Sequence, residues 1–191
     1  MMRELRAAAI LALAMHAGAH AAEAPLAAQI MAGLAALPDR TARFTEERRL
    51  TSLAEPVLSS GRLVFRHPAH LEKITESPHP ERVLIDAGTV TMTTPGAAPR
   101  SLALDAHPSL GAMAETIAAV LAGNLASLQI LYTVEATGNE AAWRLTLSPR
   151  ARNVAQFIRA VTLDGRGTDL RAVRIDQANG DTQAIAIQPA S

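Results

Sequence analysis

The chain has no cysteine, which excludes disulfides, thiolate catalysis and cysteine-ligated zinc. Its stability has to come from a packed core, and 191 residues are enough to build one. Aromatic residues make up only 3%, so side chains on which bases or sugars could stack are scarce. Charge of one sign is not in excess either, because 18 Lys and Arg balance 18 Asp and Glu. Polyanion binding draws on clustered Lys and Arg, so no nucleic-acid partner is expected. No internal repeat or low-complexity linker divides the chain, and no G-x-S-x-G nucleophile elbow occurs in it.

What the chain does have is apolar side chains, 49% of the total and dominated by Ala, Leu, Val and Ile. That content is ample for a core and leaves some over for an apolar pocket. The N-terminus carries Arg3 and Arg6, then an apolar run from Ala7 to Ala17, then Ala19-His20-Ala21. This is the pattern of an export signal with a small-x-small cleavage site, and cleavage is expected after Ala21. The apolar run is shorter than the roughly 20 residues a spanning helix needs. No cysteine follows the site, so the chain is not expected to be a lipoprotein itself. Residues 22–191 remain as a single expected domain.

Leu26, Ile30, Leu34 and Leu37 recur at helical spacing after Pro25, which suits a first turn, and Pro38-Asp39 ends the element. From Thr41 the period changes to two. Strands are expected around Phe44, at Leu63 and Phe65 after the Ser59-Ser60-Gly61 turn, and at Leu71 and Ile74 after Pro68. Further strands are expected at Val83-Leu84-Ile85 and at Val90 to Thr94 after Ala87-Gly88. A second helix carries Leu110, Met113, Ile117, Leu121 and Leu125 as one stripe, with Ser109 as its expected N-cap. Alternation then returns at Ile130, Tyr132 and Val134, and at Trp143, Leu145 and Leu147. Pro149 to Phe157 holds a short helical turn. Val161 and Leu163 run into Gly165-Arg166-Gly167, read as a turn. Val173 and Ile175 follow, and Asn179-Gly180-Asp181 is a strong hairpin signal before Ile185 and Ile187. Many short strands at regular spacing suggest a barrel or a strongly curved sheet.

Four stretches, taken in order, resemble a known family. They are Ala42-Arg43-Phe44-Thr45-Glu46, Gly61 through Phe65 with a basic residue before Pro68, Pro80 to Gly88, and Trp143-x-Leu-x-Leu-x-Pro149. Together they resemble the bacterial outer-membrane lipoprotein carriers (LolA-like proteins) over nearly the whole of residues 22–191. The resemblance implies a mainly β fold with α (α+β), an unclosed, strongly curved antiparallel β-barrel with helices as a lid over an apolar concave face. It implies a monomer in the periplasm that binds acyl chains of a lipoprotein or lipid and moves them from the inner towards the outer membrane. The implied partners are an inner-membrane donor complex and an outer-membrane acceptor. Proteins of this fold also serve as lipid-sensing adaptors or regulatory subunits, and less often as small-metabolite enzymes.

On this reading the acyl-binding residues are Phe44, Leu63, Phe65, Leu84, Tyr132, Trp143 and Leu145 from the sheet, with Leu110, Met113, Ile117 and Leu121 from the lid. Cavity wall and ordinary core share one apolar pattern, so core packing stands as the alternative for each. The family's lid latch, an Arg just before the Pro of the second strand, is replaced here by His67, with Arg66 one residue earlier. That offset turns a strand side chain to the other face. Lys73 stands near the place of a family aromatic, and the Asp-Gly turn is spread over Asp86-Ala87-Gly88.

Catalytic chemistry and cofactors are not expected. His67, His70, His79 and His107 lie scattered through loops and strand ends without metal-ligand spacing, and are read as surface or turn residues. Asp105 with His107, and Glu76 with His79, could pair as acid and base. Glu46-Glu47-Arg48-Arg49 reads as a solvated strand end.

Overall fold

A computed structural model describes residues 25–37, 39–67 and 69–189. The expected signal segment, 1–21, lies outside the described residues, as do Pro38 and Pro68, to which helix and strand ends were assigned. Eleven strands form one antiparallel sheet. The first run is β1 (Asp39–Arg49), β2 (Val57–Arg66), β3 (His70–Ser77), β4 (Glu81–Asp86), β5 (Thr89–Thr93) and β6 (Arg100–Ala103). The second is β7 (Tyr132–Asn139), β8 (Ala142–Pro149), β9 (Ile158–Arg166), β10 (Asp169–Gln177) and β11 (Thr182–Pro189). Each run pairs consecutively, and β1 pairs with β11, so the order is β6-β5-β4-β3-β2-β1-β11-β10-β9-β8-β7. β6 and β7 are the two edges and do not meet. The sheet is therefore an unclosed, curled barrel.

Among the described residues four helices accompany it: α1 (Leu26–Ala35), α2 (Pro108–Leu121), α3 (Leu125–Leu131) and α4 (Arg152–Ala155). The chain leaves one sheet edge after β6 and enters the other at β7. In between it forms α2 and α3, so the connection that crosses the open side of the barrel is itself helical.

Packing is uneven. Ile30, Met31 and Leu34 of α1, Leu128 and Leu131 of α3 and Val154 of α4 interlock with the inner residues of β7 to β9. Tyr132, Leu145 and Leu147 are wholly buried there, and each such side chain contributes roughly 1.5–3 kcal/mol through burial. Two close approaches fix this half. A Cβ on Gly165 would stand 2.0 Å from the Trp143 ring, so β9 passes flat beneath the indole. The Trp143 Nε1–H donates to the Gly167 carbonyl at 2.9 Å. A Cβ on Gly123, at φ +65°, would meet the Met31 carbonyl at 2.2 Å, and that contact seats the end of α2 on α1.

Several boundaries differ from the sequence expectation. α2 begins at Pro108 with His107 at the N-cap, so Ser109 lies inside the helix. Pro fits the first turn because it has no N–H to leave unpaired. The stripe does not continue through Leu125 as one helix. Asn124 accepts from the Ser127 N–H at 3.0 Å and starts α3, which carries Ile130 into a helix at 73% exposure. Gly165 and Arg166 belong to β9, and the turn falls at Gly167-Thr168. β6, a short edge strand, has no apolar alternation that would announce it.

Candidate functional site: an apolar hollow beneath a helix

α2 does not rest on the whole sheet. On the side of β2 to β4 it faces them across a cavity of about 220 Å³. Leu63 of β2, Leu71 of β3, and Val83 and Ile85 of β4 form one wall. Val173 and Ile175 of β10 with Ile185 and Ile187 of β11 form the opposite wall. Val161 and Leu163 of β9 also reach it, and α2 closes it with Met113, Thr116, Ile117, Val120 and Leu121. Those five positions fall at i, i+3, i+4, i+7 and i+8, one continuous helix face. A second hollow of about 270 Å³ shares Leu63, Leu71, Leu121, Leu170 and Ile187 with the first, and adds Phe65, Arg40 and Thr168. Together they reach the size range of small-molecule sites, roughly 300–1,000 Å³.

Of the residues singled out from the sequence, Leu63, Met113, Ile117 and Leu121 line the main hollow, and Phe65 lines the second. Phe44 is buried just beyond the wall, under Lys73, whose ammonium stands 5.0 Å from the ring centroid. Tyr132, Trp143 and Leu145 stand in the sealed half, against α1, α3 and β9. Leu84 is on the other face of β4, because its neighbours Val83 and Ile85 point inward and successive side chains alternate. Leu110 lies in the first turn of α2, is 38% exposed, and does not line the hollow.

Phe65 points inward, so Arg66 points out. Arg66 and His67 are both exposed, and neither has a hydrogen bond or ion pair among the described residues. What ties α2 down is Thr116, whose hydroxyl donates to the Ala112 carbonyl at 2.7 Å and accepts from the Tyr132 hydroxyl at 2.6 Å. Burial pushes the Tyr132 phenol up, and the Thr116 bond opposes that shift. The anchor thus joins the hollow-lining face of α2 to the first residue of β7.

Glu46 is no solvated strand end. It is 4% exposed on the inner row of β1, where Arg40, Ala42, Phe44 and Glu46 share one face. Its carboxylate accepts from Ser59 Oγ at 2.7 Å and also from Lys73 Nζ and Gln183 Nε2. Burial alone pushes this carboxyl up, but the hydrogen bonds and charge of Lys73, with Ser59 and Gln183, more than offset it and hold it below the usual carboxylate range. Lys73 and Gln183 line the hollow, so its polar floor is a neutralised ion pair. The parity of Phe44 was the signal for Glu46, since the next inward residue is two positions on.

Arg40, at the other end of that row, behaves differently. Its Nε–H donates to the Leu37 carbonyl at 3.2 Å, while both terminal nitrogens are buried and have no hydrogen-bond partner among the described residues. Burial lowers its pKa, and the charge of Asp169 works against that shift.

The acid–base pairs do not form. Glu76 is bonded to Arg62 at 2.8 Å and lies 3.7 Å from Arg43, while His79 is exposed. Asp105 and His107 have no side-chain hydrogen bond or ion pair among the described residues. His70 Nδ1 lies 3.2 Å from Asp86. No group of three His, Asp or Glu side chains converges as a metal site among the described residues. No helix among them is long and apolar enough to cross a membrane.

A curled, unclosed antiparallel sheet with helices across its opening and an apolar hollow between them defines the LolA-like class of folds. The family described as outer membrane lipoprotein carrier protein LolA-like matches residues 19–191, and the chain belongs to that family. Similar solved structures include a LolA superfamily protein from Nitrosomonas europaea, at 10% identity, with 86% of this chain and 92% of that one covered and a TM-score of 0.44. Another is the MucA/MucB complex of Pseudomonas aeruginosa, at 12% identity, with 86% of this chain and 56% of that one covered and a TM-score of 0.45. A third is a DUF1329 family protein from Desulfovibrio piger, at 10% identity, with 85% and 88% covered and a TM-score of 0.44. No curated protein matches the sequence.

Proposed function

We propose that the protein is a periplasmic carrier that buries acyl chains of a lipoprotein or lipid between α2 and the sheet, and moves them from the inner towards the outer membrane. The observation that supports this is the hollow itself. Its walls are mainly Leu, Ile, Val and Met, and its one charged lining group, Lys73, is neutralised by the buried Glu46. Such a surface offers burial without direction. Each CH₂ removed from water contributes about 0.8 kcal/mol, and an undirected site releases its cargo as readily as it accepts it. Membership of the LolA-like family supports the same reading. An inner-membrane donor and an outer-membrane acceptor are the partners that such transport requires.

The test is a charge placed in the hollow. Leu63→Asp or Ile117→Asp should abolish displacement of a bound fluorescent fatty acid and leave the circular dichroism spectrum unchanged. A variant that unfolds outright, matched by a wild type that binds no fatty acid, would turn the hollow into ordinary core and reject the proposal.

A further inference from the structure

Two cations stand at the walls of the joined hollows, and their surroundings differ. Lys73 donates to the buried Glu46 carboxylate, so its charge is answered within the protein. Arg40 is not answered. Its terminal nitrogens are buried with no hydrogen-bond partner among the described residues, and its side chain lines the second hollow beside Leu121, Leu170 and Ile187. Asp169, which lines the same hollow, influences Arg40 but is bonded to Arg171 at 2.8 Å, and no ion pair with Arg40 forms among the described residues. Asp39, also at this mouth, is exposed. Arg40 and Glu46 are six residues apart on one face of β1, which is about 20 Å at 3.3 Å per residue. The two ends of the hollow thus differ: Lys73 is met by Glu46 at one, while at the other the Arg40 fork keeps unfilled donors although Asp39 and Asp169 line the same hollow.

A buried guanidinium keeps two donor nitrogens unfilled at a cost in stability, unless something else supplies the acceptors. Its planar fork matches a carboxylate or a phosphate, each of which takes two parallel N–H bonds. We propose that Arg40 is the anion-recognition residue of this site, and that the ligand is an amphiphile whose carboxylate or phosphate docks on Arg40 while its chain fills the adjoining apolar hollow. The inference rests on the reading of that hollow as an acyl-chain site and adds the chemistry of the head group. Arg40 then fixes which way round the ligand lies, with the chain directed towards Lys73.

Three probes of one chain length decide it: palmitate, the corresponding monoacyl glycerol phosphate, and methyl palmitate. Each is titrated into the purified wild type, Arg40→Met and Arg40→Lys, and melting temperatures are taken without ligand. One or both anionic probes should bind the wild type roughly 10- to 100-fold more tightly than the ester, as expected for hydrogen bonds to a charged group. Whichever anion binds more tightly identifies the head group. Arg40→Met should erase the preference, keep ester binding, and melt close to wild type, since it removes terminal donors without a partner among the described residues and only one exposed bond, from Nε–H to the Leu37 carbonyl. Arg40→Lys should keep only part of the preference. Equal binding of ester and anions by the wild type would overturn the Arg40 assignment and leave the acyl-chain reading standing, whether or not the variants fold. A lower melting temperature in Arg40→Met with the preference intact would make Arg40 a structural group and overturn it too. Failure of all three probes to bind would reject the acyl-chain reading itself.

Discussion

The two halves of the sheet are built from the same alternating apolar strands and end differently. Under β7 to β9 the inner residues meet α1, α3 and α4, and Tyr132, Leu145 and Leu147 lose all contact with water. Under β2 to β4 the inner residues Leu63, Leu71, Val83 and Ile85 meet only the far wall and one face of α2, and all remain half-buried. The difference lies in what stands opposite and not in the strands. Three helices fill one half, and α2 is held to that filled half by Ala112, Ala119 and Val120 in its core and by the Thr116–Tyr132 hydrogen bond. The lesson is that the filled half supplies the stability which lets the other half stay hollow.

The comparison breaks most sharply with a truncation on each side. Leu145→Ala should cost about 2–5 kcal/mol, because it opens a cavity in a packed region. Leu63→Ala should cost about 1 kcal/mol or less, since it only enlarges space that already exists, but it should weaken acyl-chain binding. Chemical denaturation of both variants measures this, and equal losses would end the distinction between the halves.

Next comes the polar floor. Lys73→Met removes the main partner of the Glu46 carboxylate and should cost about 1.5–3 kcal/mol near neutral pH. The folded pKa of Glu46 is depressed. Its contribution is therefore present above the unfolded value of about 4.3 and is lost as pH falls through the lower folded value. Lys73→Met should flatten that acid limb of the stability profile, and Glu46→Gln added to Lys73→Met should recover part of the loss. An acid limb identical to wild type would remove this pair from the account.

Gly165→Ala should cost about 1–3 kcal/mol by forcing the Trp143 ring off β9, and tryptophan fluorescence should report the shift. A wild-type melting curve would show that the sealed half tolerates repacking. The smallest effect belongs to the β4–β5 turn, where Ala87 holds φ +44° before Gly88 at φ +75°. Ala87→Gly should stabilise by about 1 kcal/mol by relieving a left-handed alanine, without touching the hollow. A loss of stability there would mean that Ala87 is unstrained.

Much of the fold was legible because period-two alternation and turn residues are local properties. Phe44, Leu63, Phe65, Val161 and Ile185 announce strands wherever they end up in the sheet, and the stripe of α2 announces a face. Two kinds of information were not local. One is inner-face parity where apolar residues run together. In Val83-Leu84-Ile85 either parity fits, and only the pairing of β4 with β3 and β5 turns Leu84 outward. The other is what lies across the barrel. Trp143 and Tyr132 look like cavity residues as readily as Leu63 does, until α1 and α3 are seen to cover them. Glu46 and Lys73 lie 27 residues apart and meet only because β1, β2 and β3 are neighbours. A charged residue read singly looks solvated, and its burial becomes visible only with its partner. The terminal nitrogens of Arg40 have no partner among the described residues, so no pattern marks them.

The central claim is that the half beneath α2 is an open site for an acyl chain. Native mass spectrometry of the protein purified after export, followed by organic extraction of anything bound, tests it most directly. The account predicts a bound acyl-containing mass, or its appearance when acylated peptides or lipids are added. A clean apo mass that no such addition changes would contradict it and leave the apolar face as closed core.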